Sequence, residues 1–525
     1  MSQSPSPTIP TQQTPLLPSS RKRRRTPPVH LYPLFLTVVL LSLMVLVVWD
    51  VSPVGNCVLR PLCRALGEGR GKEEVWWRNA GAYAPYRPLG EGRERLPRGC
   101  ELDQVTIFHR HTARYPTVKG GDCLHRALHK LANRSIISPR RHPELAFLAK
   151  ADLHLTGWKM TELTDQGRKA AWKAGKQTAS VYKRFLSRTE GIFTRAGGIS
   201  RVIETGSYWL QGFQGSPFKI LPEDQRPRVD LTIPEDPETN STLSVHKCTA
   251  FETVNPAPGV EEQIQLNPLR QPIADRLNNI LRPQPPLDGI EVSCLADMCA
   301  YDSQISGVDW KGWSKWCGMF TREEWEILGY RRDVGRYYGV GQGSKYGLTM
   351  GAGYVRELVA RLTDSTPLEY PTINSTLASS NLTFPRGGRR LFVDFSHDNE
   401  MVQILSAMHV LNQHNDLPKT TIQDKRSYVL AEIIPFGAKV VFERISCDMA
   451  GWEPDPGIVS SIGDREKDGR KDYVRIWVND ALQTVDDVNC KQSGLAEHGM
   501  CELDLFIDSQ SWALTQADWG ICATS

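Results

Sequence analysis

The segment Leu31–Trp49 limits what this chain can become more than any other stretch. It runs for nineteen residues without a charge, through Leu34-Phe35-Leu36-Thr37-Val38-Val39-Leu40-Leu41 and on to Val47-Val48. A helix rises 1.5 Å per residue, so this length covers about 28 Å, close to the hydrocarbon thickness of a bilayer. Residues 29–50 are therefore expected to form one transmembrane signal-anchor helix. Arg21, Lys22, Arg23, Arg24 and Arg25 lie just before it in a 28-residue stretch that contains no acid. Basic flanks stay cytosolic, which predicts a single-pass type II membrane protein whose bulk is lumenal or extracellular in the secretory pathway. A cleaved signal peptide fits less well, because a long Ser/Pro/Gln tail precedes the basic cluster and the apolar run exceeds a usual signal core.

The cysteines agree with that topology. All 12 follow the apolar segment, and an even number on one side of a bilayer points to disulfides in an oxidising compartment. Asn-x-Ser/Thr sequons at Asn133, Asn240, Asn374 and Asn381 are compatible with glycosylation there. The formal charge is +4, and the tail alone accounts for that excess, so the remaining body is nearly neutral. A nucleic-acid partner would need a broad basic face, so none is expected. Residues 1–28 are too poor in apolar residues to build a core and are expected to be a disordered cytosolic tail. Residues 51–95, with their Gly-Glu-Gly-Arg stretches, suggest a stem closed by one small clip, Cys57 to Cys63. From residue 96 to 525 the texture is that of a folded domain.

Two places in that domain share a local grammar. Val105-Thr106-Ile107-Phe108 is strand-like and leads into His109-Arg110-His111-Thr112-Ala113-Arg114. Leu391-Phe392-Val393-Asp394-Phe395 is also strand-like and leads into Ser396-His397-Asp398-Asn399, then a helical pattern from Glu400 to about Leu411. Tyr473–Val478 is a third strand candidate. Long helical patterns fall at Leu163–Leu186 and Thr349–Thr363, while Arg226–Gln284 is Pro-rich and is expected to be loops with short elements. Open α/β sheets bind ligands at the carboxyl ends of their strands, where both polar clusters would sit. This order of elements suggests an α/β sheet domain with a helical cap inserted.

The chemistry of the two clusters is complementary. Guanidinium forks match phosphate oxygens, and an imidazole between Arg110 and Arg114 is placed to attack phosphorus. Alone, such a pattern is as easily surface ion pairs around a packed histidine. His397-Asp398 adds a second imidazole and a carboxyl group able to protonate a leaving alcohol, although Asp at a helix start is also an ordinary cap.

Taken together, these stretches resemble a known family. Arg110-His111-Thr112-Ala113-Arg114-Tyr115-Pro116-Thr117 is similar to the RHGxRxP signature of the histidine acid phosphatases, the branch 2 histidine phosphatases. Asp394-Phe395-Ser396-His397-Asp398-Asn399 resembles their HD motif as fungal phytases carry it. Arg195 to Gly206, Gly212-Phe213-Gln214, Leu163 to Gly167, Met298-Cys299, Cys317 to Thr321 and Arg336-Tyr337-Tyr338-Gly339 extend the likeness from about Tyr83 onward. The resemblance implies a phosphoglycerate-mutase-like α/β sandwich with a mainly helical cap drawn from within 118–370. It implies hydrolysis of phosphate monoesters through a phosphohistidine, with His111 as nucleophile and Asp398 as general acid. Arg110, Arg114, Arg201 and His397 would hold the phosphoryl oxygens, with Arg195 as the alternative to Arg201. It implies no cofactor and no metal, a small phosphorylated substrate with inositol hexakisphosphate as leading candidate, and an acidic optimum. It also implies the disulfides Cys100–Cys447, Cys248–Cys522, Cys299–Cys317 and Cys490–Cys501. Cys123 and Cys294 are left to pair with each other or stay free, and zinc at Cys294 and Cys299 is disfavoured on an oxidising side without histidine partners.

One position departs from the pattern. The family has Gly after the nucleophile, whereas this chain has Thr112, which is β-branched and stiff. A catalytically weak binding protein on the same fold is therefore the alternative to a working enzyme. A Golgi glycosyltransferase shares the tail, anchor and stem, but its acidic metal-binding motif is not found here. His125 and His129 have helical metal-pair spacing without a third ligand, and with His109, His142 and His154 they read as structural or exposed.

Overall fold

The computed structural model describes residues 74–90, 96–135, 138–305, 313–410, 413–448, 469–483, 485, 488–491 and 495–523. The expected tail at 1–28, the anchor at 29–50 and the Cys57–Cys63 clip lie outside the described residues. Among the described residues no helix is long and apolar enough to cross a membrane. All of them fall within one unit, Gly69–Ser525.

Eight strands make one mixed sheet: β1 (Cys100–Arg110), β2 (Ile192–Gly197), β3 (Leu231–Ile233), β4 (Arg390–Ser396), β5 (Lys439–Asp448), β6 (Arg470–Val478), β7 (Ala481–Gln483) and β8 (Met500–Glu502). Their order is β3-β2-β4-β1-β5-β6-β7, with β8 also paired to β6. The first four run parallel, and β5 turns antiparallel against β1. The strands read from sequence lie inside β1, β4 and β6. Side chains alternate across a strand, so β1 sends Val105 and Ile107 to one face and Phe108 to the other. On the first face they meet Val393, Phe395 and Trp209 in one apolar cluster. On the second, Phe108 joins Phe442, Val474, Tyr354, Leu358 and Met401.

The major helices are α1 (Val118–Ala132), α2 (Asp165–Val181), α3 (Ser200–Phe213), α4 (Asn267–Leu281), α5 (Gly289–Ile305), α6 (Arg322–Val340), α7 (Gly347–Leu362) and α8 (Asp398–Ala407). Thr117 and Thr164 start α1 and α2 as N-caps, accepting from Gly120 N–H at 3.3 Å and Gly167 N–H at 2.9 Å. Helices α2 and α3 cover the first face, crossing where a Cβ on Gly175 would stand 1.9 Å from the Trp209 carbonyl and one on Gly212 1.9 Å from that of Trp172. Only glycine permits that approach. Helices α7 and α8 cover the second face, giving a helix–sheet–helix sandwich. A separate apolar cluster gathers α1, α4, α5 and the start of α6 into a helical lobe around Leu128, Leu131, Leu277, Leu295, Trp316 and Trp325.

Two expectations change. Residues 267–281, inside the stretch expected to be loops and short pieces, form the 15-residue α4, because Pro268 sits in the first turn and Ile273, Ala274, Leu277 and Leu281 present a buried stripe. Residues 74–90, assigned to the stem, pack on the body: Trp77, Ala80, Ala82 and Ala84 are buried, and Ala84 C=O accepts from Phe436 N–H at 2.9 Å. Their apolar side chains make this stretch part of the core.

Among the described residues no cysteine is free. The structure joins Cys100–Cys447, Cys248–Cys522, Cys299–Cys317 and Cys490–Cys501, and pairs Cys123 of α1 with Cys294 of α5. Cys294 and Cys299 thus each have a disulfide partner, and no zinc site is built from them.

Candidate active site

The parallel strands deliver their polar residues to one edge. Register pairs Arg110 with Ser396, so the residues that follow, His111 and His397, emerge side by side with ring centroids 5.6 Å apart. The backbone there is fixed from both sides. His111 N–H donates to Ser396 C=O at 2.9 Å, and His111 C=O accepts from Gly437 N–H at 3.1 Å. The His111 ring is held by Nδ1, 3.0 Å from the Thr112 carbonyl. A carbonyl can only accept, so Nδ1 carries the proton and Nε2 keeps a lone pair. Burial, reinforced by the guanidiniums of Arg110, Arg114 and Arg201, pushes the His111 pKa well below the usual imidazole value. The shift favours the neutral ring, with its Nε2 lone pair available.

Asp398 opens α8, with His397 at its N-cap. Its Oδ2 lies 3.1 Å from Arg110 Nη2 and 3.2 Å from Arg336 Nη2, while Oδ1 accepts the Asn399 N–H at 3.1 Å. Burial alone would raise its pKa, but the guanidiniums of Arg110, Arg336 and Arg114 outweigh burial and hold it well below the usual carboxylate range. Without a bound anion, Asp398 is thus a carboxylate. Arg110 is wholly buried, donates to the Ala82 and Ile434 carbonyls, and lies over the Phe436 ring at 4.6 Å. Arg114 donates to Tyr115 C=O at 2.9 Å and reaches the Tyr301 hydroxyl at 3.5 Å. Arg201, in the first turn of α3, has Nη2 3.4 Å from His397 Nδ1.

All six residues expected to act on phosphate therefore meet at this edge. Arg195, the alternative to Arg201, does not. It points into the sheet and forms a two-pronged pair with Asp394, 2.8 and 3.0 Å, plus a bond to Glu357 at 2.9 Å.

Two further residues belong to the cluster. Arg336, from the quoted Arg-Tyr-Tyr-Gly stretch, shares Asp398 with Arg110. Glu235 stands two residues beyond β3, and both its carboxylate oxygens lie 2.9 Å from His397 Nε2. Nothing local in Pro234-Glu235-Asp236-Pro237 announces this. The sole signal was that a β-strand ends just before it.

Thr112 is accommodated without strain. It is absent from the residues with positive φ, so the backbone here does not require glycine. Its N–H donates to Thr205 Oγ1 at 3.2 Å, and that hydroxyl donates to Arg201 C=O at 2.8 Å. His109, two residues before His111, is 1% exposed. His125, His129 and His154 are exposed, and among the described residues no cluster has the makings of a metal site.

Known proteins resemble this chain in sequence and in fold. The sequence model of the Histidine phosphatase superfamily (branch 2) matches residues 101–479. Phytase A of Aspergillus oryzae is 29% identical over 481 residues, covering 88% of this chain and 93% of its own length. Phytase A of Aspergillus fumigatus is 30% identical over 452 residues, covering 84% and 90%. The crystal structure of the phytase from D. castellii superposes with a TM-score of 0.64 at 23% identity, over 86% of this chain and 88% of that one. That of the Bifidobacterium longum multiple inositol polyphosphate phosphatase in complex with inositol hexasulfate gives 0.57 at 10% identity, over 84% and 98%. The motif order, the sandwich with its helical lobe and the match across most of the chain lead to one assignment: the chain belongs to branch 2 of the histidine phosphatase superfamily and is a phosphoric monoester hydrolase of the acid phosphatase and phytase type.

Proposed function

We propose that His111 Nε2 attacks the phosphorus of a phosphate monoester in line with the leaving oxygen. The P–N bond forms as the P–O bond to the alcohol breaks, and Asp398 gives its proton to the departing oxygen. Water then attacks the phosphohistidine, Asp398 takes a proton from it, the P–N bond breaks, and phosphate leaves. Arg110, Arg114, Arg201 and His397 hold the equatorial oxygens, where charge stabilisation supplies most of the acceleration. The starting carboxylate at Asp398 is consistent with this cycle. An entering dianion draws on the guanidiniums of Arg110 and Arg336 and sets negative charge beside Asp398, raising its proton affinity in an acidic medium.

One observation carries the reading: a neutral imidazole with a free Nε2 shares a strand edge with an acid flanked by guanidiniums. The test is rapid-quench trapping of acid-labile phosphate on the active protein, with His111→Ala as control. A chain that turns over and never carries such phosphate overturns the mechanism.

Inositol hexakisphosphate is the proposed substrate, supported by relatives called Phytase A and by the inositol hexasulfate complex of a fold neighbour. Comparing kcat/KM on inositol hexakisphosphate with that on simple monoesters tests it. Membrane anchoring through residues 29–50, in type II orientation, rests on the sequence alone, as does glycosylation. Asn133 and Asn381 are exposed, and Asn374 uses Oδ1 to accept from Leu377 N–H at 3.1 Å. Extraction of membranes at alkaline pH and a glycosidase mobility shift check these two points.

A further inference from the structure

Glu235 is positioned as no ordinary surface acid would be. Its side chain is 2% exposed, and it is held by Ser244 Oγ–H at 2.9 Å and Ile199 N–H at 3.3 Å, both donating to its carboxylate. Burial works to raise its pKa, yet the hydrogen bonds of His397, Ser244 and Ile199 bring it below the ordinary value. An ionised carboxylate only accepts, so His397 Nε2 must carry a proton. That leaves Nδ1 as the nitrogen facing Arg201, whose Nη2 stands 3.4 Å away. A guanidinium only donates, so with no anion bound Nδ1 presents its lone pair to Arg201. A phosphoryl oxygen, however, is an acceptor. For His397 to hold one, Nδ1 must gain a proton and Arg201 must turn to the anion.

We propose that Glu235 is the positioning residue that makes this exchange work: its carboxylate fixes Nε2 as donor and balances the imidazolium that forms when Nδ1 takes up one proton on anion binding. The proposal rests on the phosphate-holding role of His397. Among the acidic groups near the ring, Glu235 is the one in hydrogen-bond contact with it. Arg201 from α3 and His111 from the β1 edge are cationic or neutral donors. Glu400 of α8 is buried, accepts from Val245 N–H at 3.3 Å, and is pushed upward by burial against the pull of His397. His246 is bonded to Glu252 at 3.2 Å. Glu235 is thus the carboxylate that bonds the ring.

Sulfate is the probe, because it stays a dianion across the acid range and takes no proton of its own. With full-length protein, sulfate affinity is expected to fall as pH rises toward neutrality, His397 taking up one proton per sulfate bound beside any that Asp398 gains. Glu235→Gln keeps an acceptor for Nε2 but removes the charge, and it is expected to move that fall toward acid by at least about one pH unit. Glu235→Gln added to His397→Asn is expected to change nothing further. A wild-type pH profile in Glu235→Gln, or the same loss in the His397→Asn background, overturns the proposal. Should Glu235→Gln fail to fold, ¹⁵N imidazole shifts of the wild-type protein answer the question: His397 Nδ1 must gain a proton on sulfate addition, and an unchanged Nδ1 overturns it. A protein that binds sulfate with this coupling but hydrolyses no ester refutes the phosphatase mechanism instead, so the two failures are distinguishable.

Discussion

Two aspartates four residues apart, Asp394 and Asp398, each sit between two arginines. Asp394, on β4, is fully enclosed: Arg195 and Arg361 grip both oxygens, and the Tyr354 hydroxyl donates to one of them at 2.9 Å. Asp398, just past the strand, receives one guanidinium nitrogen from each of Arg110 and Arg336, on one oxygen only. Both carboxylates are held well below their usual pKa, Asp394 by Arg195 and Arg361 against its burial. The ingredients are the same. What differs is the grip of the guanidiniums, on both oxygens of Asp394 and on one of Asp398, and that follows from place on the strand. Within the sheet every partner is fixed, whereas at its carboxyl edge the partners can be exchanged for a ligand.

The comparison breaks hardest at the open edge. His111→Ala is expected to lower kcat by about 10⁴-fold or more, measured on a chromogenic phosphate ester, with melting almost unchanged. Asp394→Asn sharpens the enclosed side, because removing one partner of a buried network destabilises by about 3–5 kcal/mol, read by denaturant unfolding. Asp398→Asn is expected to reverse the pattern, costing about 10²–10⁴-fold in kcat and only about 1 kcal/mol or less in stability. If the two Asn variants prove alike in both measurements, the contrast fails.

A pH effect on stability comes next. Burial lowers the pKa of His109 to about 4 from 6.5. Between those values the unfolded chain binds the proton and the folded one does not, so stability falls as pH drops through the window from 6.5 to 4. The loss is about 3 kcal/mol at most, and His109→Gln is expected to remove it in pH-dependent unfolding. An enzyme expected to work in acid thus holds a group that acid destabilises. The smallest effect expected is that of Thr112→Gly. The backbone bond to Thr205 survives, so kcat should stay within a few-fold and stability should drop by about 0.5–1 kcal/mol from added chain freedom. A large gain in kcat would revive the reading of Thr112 as a catalytic handicap.

What could be read in the sequence was contiguous. The nucleophile loop and the HD turn each carry their chemistry in a few adjacent residues after an apolar run, so their meeting at one sheet edge was foreseeable. Arg201 was preferred to Arg195 on the resemblance alone; in the structure Arg195 lies within β2 and pairs with Asp394, whereas Arg201 lies beyond the strand. Glu235 was not legible as a site residue, and Arg336 only as part of a family-like stretch with no role attached, because parallel pairing of β2 with β3 and the run of α6 bring them in from distant segments. The α4 helix was hidden by its prolines, and the packing of residues 74–90 by the glycines and charges around them.

The Cys248–Cys522 bridge bears on when the site can be completed. It ties the segment after Glu235 and Ser244 to residues translated 274 positions later. During synthesis on a ribosome, His111 emerges early, and its sheet neighbours on β2 and β4 can gather as they appear. The clasp beside the Glu235 loop cannot close until residue 522 has been added and oxidised. A truncated translation product would therefore possess every signature residue and still lack that covalent fastening.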